Sequence, residues 1–150
     1  PVASTSATSL SDKLVELLPT TGIAYSPSFQ PLIKVPVYFW CDVPEEITKK
    51  MEIVGEAVTV KLRPTFIWHY GDGIFFMTRK VGAPYPDGEI QHTYSNQGHY
   101  LIELITRWEG TFTVDGVTAP IPGKIDTVSV LPITVVAAPS RFTPPVLYSR

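Results

Sequence analysis

The sequence is poor in cysteine, in charge and in the residue spacings that carry chemistry. Cys41 is the single cysteine. It can close no internal disulfide and can anchor no metal cluster. Set in the run Val37-Tyr38-Phe39-Trp40-Cys41, it reads as a small buried hydrophobe. Charged residues make up 17% of the chain, against roughly 25% in an ordinary soluble domain. The surface must therefore rely on Ser, Thr, Gln and backbone polarity, or be covered in part by partners. The 12 basic and 14 acidic residues leave a net charge of −2. No basic run or stripe is present, which argues against a nucleic-acid partner. No apolar stretch approaches the ~20 residues that cross a bilayer, so no membrane span is expected in this chain. The opening Pro1-Val2-Ala3-Ser4 lacks the charged start and apolar core of a signal peptide. An opening proline points to processing or a cut boundary, so this absence carries no weight for location.

Catalytic and metal-binding patterns are missing as well. The three histidines, His69, His92 and His99, show no H-x-H or H-x-x-x-H spacing and have no cysteine partner, so no metal site is expected. Calcium is the cation that Asp72, Asp87 and Glu89 bring to mind, but the D-x-D-x-D-G pattern is absent. No cofactor is expected. Ser95, His92 and Asp72 can be written as a catalytic triple, yet no G-x-S-x-G elbow supports it. Glu45 and Glu46 are adjacent, and neighbours on a strand face opposite ways. The expectation is a protein without enzymatic activity.

The chain does hold 44% apolar residues and 15 prolines, the latter about twice the usual share. The apolar content argues against global disorder, and proline favours edge strands and extended connections over long helices. Leu10, Leu14, Val15, Leu17 and Leu18 follow helical spacing, with Ser9 or Ser11 as N-cap and Pro19 as the stop, predicting a short helix over about 9–18. Residues 20–34 read as an extended connection. Alternation then takes over. Strands are expected at 36–40 and 47–54, at 57–62 with Val58, Val60 and Leu62 on one face, and at 65–70 with Phe66, Trp68 and Tyr70 on one face. Another is expected at 99–108 with Tyr100, Ile102, Leu104 and Trp108 in phase, then a short one at 111–114 before an Asp115-Gly116 turn. Val128 and Val130 are out of phase with Ile133 and Val135, predicting a bulge or an edge-strand break at Leu131-Pro132.

The densest pattern is Trp68-His69-Tyr70-Gly71-Asp72-Gly73, answered by His92-Thr93-Tyr94-Ser95-Asn96-Gln97-Gly98-His99-Tyr100. Two aromatic strands, each punctuated by a glycine turn, are the mark of a β-sandwich. The spacing W-x-x-G-D-G followed by H-x-Y-x-x-x-G-x-Y resembles the core of PKD domains, an immunoglobulin-like family of mostly extracellular modules. Further segments match in order a variant found in bacterial, notably actinobacterial, surface and secreted proteins: Pro36 to Trp40, Gly82-Ala83-Pro84-Tyr85, and Trp108-Glu109-Gly110. The resemblance covers roughly 32–137. It departs from the variant in lacking a cysteine pair around the Gly-x-Pro-Tyr loop.

The resemblance implies an all-β, immunoglobulin-like sandwich of seven to nine strands over 32–138, with a lead and helix in 1–31 and an extended tail in 139–150. It implies that Trp68, Gly71, Asp72, Gly73, His92, Tyr94, Gly98 and Tyr100 form the folding signature, with Tyr100 as a tyrosine corner. The contact residues are then expected elsewhere. Of the remaining aromatics, Trp40 and Trp108 are expected in the core and Tyr85 at an exposed loop contact. Leu14, Leu17 and Phe142 lie in ends too apolar for idle linkers. The expected function is that of a structural or adhesive module of a secreted or surface-exposed assembly, working through protein–protein contacts that include copies of itself. A polysaccharide-binding module and a virion decoration or tail protein are the alternatives.

Overall fold

The computed structural model describes residues 14–138. Among them are nine strands in two antiparallel sheets. The small sheet has the order β1-β2-β6, with β1 Ile23–Ser26, β2 Val37–Cys41 and β6 Gln91–His92. The large sheet is organised on one long ribbon, β4 (Glu56–His69) against β7 (Gly98–Val114). Two short strands share the free side of β4: β3 (Ile47–Ile53) and β5 (Phe75–Thr78). Two share the free side of β7: β8 (Val117–Pro120) and β9 (Ile125–Val135).

The sandwich follows from period-two patterning. On β4 the even-numbered residues from Val58 to Trp68 face inward, and on β7 Ile102, Leu104, Thr106 and Trp108 do the same. From the small sheet, Val37, Phe39 and Cys41 meet them. Trp68 and Phe39 rings sit 5.8 Å apart across the core. Burial pushes the Cys41 thiol up to about 11, because a thiolate in an apolar setting loses its hydration.

The long strands correct two expectations. Residues 57–62 and 65–70 belong to one strand, and 111–114 continues β7. Pro64 does not break β4, because Ile47↔Leu62 ends the β3 pairing and Phe66↔Thr78 starts the β5 pairing. Tyr70, of the same parity as Pro64, turns its N–H to the β5 side, towards the Ile74 carbonyl. Pro64 therefore points its donor-less nitrogen into the gap between β3 and β5, where no ladder bond is lost. The slip at Leu131-Pro132 is also absent. β9 pairs with β7 in one unbroken register from Ile125↔Trp108 to Val135↔Gly98. The odd residues face the core, so Val128 and Val130 stand on the outer face, 59% and 55% exposed. Pro132 is tolerated because β9 is an edge strand.

Pairing and burial also extend to the N-terminal side of residue 32. β1 is paired with β2 along its whole length, Leu14 lies fully buried in the core, and Thr21 bonds across to β7 and β9 through Thr106 and Ser129. The sandwich thus includes chain that reads in sequence as lead and linker. Residues 14–17 are helical, with the Leu18 N–H donating to the Leu14 carbonyl, and Leu18 itself is a bend; residues 9–13 of the predicted helix lie outside the described residues. Two hairpins close on two-residue turns with both φ angles positive: Val54-Gly55 (50° and 78°) and Asp115-Gly116 (49° and 77°). This is the turn whose twist matches that of antiparallel strands.

Candidate functional site

The Trp68–Gly73 and His92–Tyr100 motifs meet through Tyr70, Asp72, His92, Tyr94 and Tyr100, whose side chains are engaged in structural contacts. Trp68 is fully buried. Gly71 has φ 90°, and a Cβ there would press on the Leu101 backbone at 2.9–3.0 Å, so no other residue fits. Asp72 caps its own turn, accepting from the Ile74 N–H at 3.2 Å, and its other oxygen lies 2.7 Å from His92 Nε2. The His92 ring stacks on Tyr70, centroids 4.2 Å apart and 5° from parallel, and meets Tyr94 edge-on at 4.6 Å. Tyr94 donates to the Tyr70 carbonyl and Tyr100 to the Asn96 carbonyl, each at 2.7 Å. Gly73 completes the turn with φ 92°, and Gly98 opens β7. Burial raises the pKa of Tyr94 and pushes Tyr70 up to about 12, with Asp72's charge adding in the same direction. His92 spends its Nε2 on Asp72, and Ser95 makes no side-chain hydrogen bond among the described residues, so the three do not form a nucleophilic relay. No group of three His, Cys, Asp or Glu gathers at metal-binding distance among the described residues.

An unspent surface lies on the outer face of the small sheet. Strand alternation turns Tyr38 and Trp40 outward while Phe39 and Cys41 point in. This corrects the placement of Trp40, which is half-buried on the outer face; Trp108 is in the core. The 82–88 loop folds over this face. Gly82 pairs with Trp40, and the Cys41 N–H donates to the Val81 carbonyl. Gly88 packs so closely that a Cβ there would collide with the Ala83 carbonyl and touch Tyr38. The Pro84 carbonyl accepts from the Asp87 and Gly88 amides, and Gln91 Nε2 holds the Gly88 carbonyl at 3.2 Å. This turn lifts Tyr85 to 69% exposure with its ring edge-on to Tyr38, centroids 5.5 Å apart.

Opposite Tyr85 stands the β1–β2 loop. Together they form an open groove of about 310 Å³ lined by Ser26, Pro27, Phe29, Val35, Pro36, Tyr38 and Tyr85. Phe29 is 63% exposed. The lining offers three aromatic rings and two prolines, with polarity limited to a serine and two phenol hydroxyls.

Of the other anticipated contact residues, Leu14 is a core residue and presents no surface to a partner, Leu17 is exposed, and Phe142 lies outside the described residues. Phe29 escapes sequence reasoning because it sits in a segment without periodicity. Its signal is the company of Pro27 and Pro31 in an extended connection.

The outer face of the large sheet is the second apolar surface. Met77, Ile67, Ile105 and Val128 form one cross-strand row, and Phe75, His69, Glu103 and Val130 the next. It holds an open pocket of about 360 Å³ where Ile67 and Met77 meet the charged side chains of Arg79, Arg107, Glu109 and Lys124, and it runs into the Arg107–Asp126 pair, bonded twice at 2.9 Å. No protein-family model, curated protein or solved structure matches the chain.

Proposed function

We propose that the protein is a non-catalytic structural or adhesive module of PKD type, displayed in a secreted or surface-exposed assembly, whose contact surface is the groove between Tyr85 and the β1–β2 loop. The observation that carries this reading is the convergence of exposed Phe29 and Tyr85 with Tyr38 on a concave, nearly unpolar wall. Aromatic anchors in a pocket are what protein contacts spend their binding energy on. The PKD assignment draws support from the core tryptophan, the Gly-Asp-Gly turn and the Tyr100–Asn96 corner. A polysaccharide site would need several polar groups beside its aromatic rings to take up hydroxyls, and this groove supplies few.

Aromatic NMR spectra of the full chain, recorded on concentrating it and on adding oligosaccharides, test the reading. Concentration-dependent shifts at Tyr38 and Tyr85 are expected. Shifts induced by glycan alone would favour the polysaccharide reading, and shifts centred on Val128 and Val130 would move the contact to the large sheet.

A further inference from the structure

The groove lies beside the point where the chain leaves the sandwich. After β9, Val136 bridges Leu32: its N–H donates to the Pro31 carbonyl, and its carbonyl accepts from the Ile33 N–H, both at 3.0 Å. Leu32 in turn accepts from the Val35 N–H. One loop therefore holds the outgoing chain at Pro31 to Ile33 and forms the groove wall at Pro27, Phe29, Val35 and Pro36. Beyond Ala138 the sequence continues Pro-Ser-Arg-Phe-Thr-Pro-Pro-Val-Leu-Tyr-Ser-Arg, enough to span up to ~40 Å when extended.

We infer that residues 139–150 are the groove's ligand, supplied by a neighbouring copy of the chain; this rests on reading the groove as the contact surface. The chemistry is complementary. Aromatic-lined grooves take proline-rich segments because proline rings pack on aromatic faces and lose little conformational freedom. The segment carries Pro139, Pro144 and Pro145 with Phe142, Val146 and Leu147, and its only charges are Arg141 and Arg150. Asp87, an exposed carboxylate in the turn that carries Tyr85, has no ion-pair partner among the described residues. A neighbouring copy is favoured over the chain's own groove because Val35 is only three residues from the exit point. Val136 runs parallel to Leu32, and a proline-rich segment kept extended would carry most of its length past a groove that begins so close to its own exit. Donor segment and acceptor groove share one end of the molecule, so two copies meeting at that end exchange segments reciprocally.

Crosslinking tests this on the full chain. Phe29, exposed and outside the core, is replaced by p-benzoylphenylalanine, and unlabelled and heavy-nitrogen-labelled protein are mixed, irradiated and mapped by mass spectrometry. Crosslinks are expected within 139–150, with mixed-isotope pairs as frequent as same-isotope pairs. They should fall several-fold when Pro144 and Pro145 are both changed to serine, and when the photoreactive group stands at Phe75, equally exposed on the other sheet. Circular dichroism confirms that each variant is folded. Same-isotope crosslinks alone would overturn the neighbouring-copy assignment. Crosslinks elsewhere on a second copy would overturn the segment while leaving the groove as a contact surface. Absence of any polypeptide crosslink would overturn both.

Discussion

The Tyr94 hydroxyl donates to the Tyr70 carbonyl at 2.7 Å, inside the protein. This bond ties the end of β4 to the turn before β7. Tyr94→Phe keeps the ring and removes the donor, leaving a buried carbonyl unpaired. The expected loss is about 1–3 kcal/mol, against about 0.5–1.5 kcal/mol for Tyr100→Phe, whose bond to Asn96 is exposed. Urea unfolding at neutral pH measures both, and equal losses would contradict the assignment.

Stability is expected to fall at alkaline pH. Cys41 is raised from 9.0 to about 11 and Tyr70 from 10.0 to about 12, both chiefly by burial, and Tyr94 is raised by the same cause. Above pH 9 the unfolded chain releases these protons first, so the folded state holds more protons and loses stability as pH rises. The contribution is complete below pH 9 and drains away between pH 9 and 12. Tyrosinate absorbance followed with near-ultraviolet circular dichroism should show two of the seven tyrosines ionising only as the fold is lost. All seven titrating near about 10 with the dichroism intact would contradict this.

Val54 is a β-branched residue at φ 50°, the first position of a turn that favours asparagine. Val54→Asn is expected to stabilise by about 0.5–1 kcal/mol through relief of that backbone strain, read as a higher Tm. An unchanged or lower Tm would argue against the turn geometry.

The β9 register makes a sharper contrast. Val128→Thr and Val130→Thr lie on the solvent face and should each stay within about 0.5 kcal/mol. Ile133→Ala, on the core face, should cost about 2–5 kcal/mol. A slip at Pro132 would turn the two valines inward and make their replacement costly.

These contrasts show what the sequence makes legible. β4 and β7 announce themselves because one face is buried and the other is not, so alternation is written into the residues, whereas β2 is an unbroken apolar run whose inward and outward residues look alike, which is why Trp40 reads as core. The division at Pro64 vanishes because its effect depends on which neighbours flank β4 there, and that is a property of the sheet. β5, Phe75-Phe76-Met77-Thr78, carries no alternation because it is an edge strand exposed on both faces. β1 is hidden in a proline-rich connection and earns its place only by pairing with β2. Buried Trp68 and the Tyr100–Asn96 bond stand at positions that the resemblance to the PKD core picks out. Tyr85 was visible as a loop aromatic. The groove was not visible, because Phe29, Tyr38 and Tyr85 are distant in sequence and meet only where the 82–88 loop folds over β2.

The most direct test of the groove as the contact surface is sedimentation equilibrium of the full chain beside Tyr85→Ala. Tyr85 is largely exposed, so its truncation should leave unfolding stability within about 0.5 kcal/mol. Self-association of the wild-type chain should weaken at least tenfold, equivalent to about 1.4 kcal/mol. Association of equal strength in the two proteins, with both folded, would contradict the account.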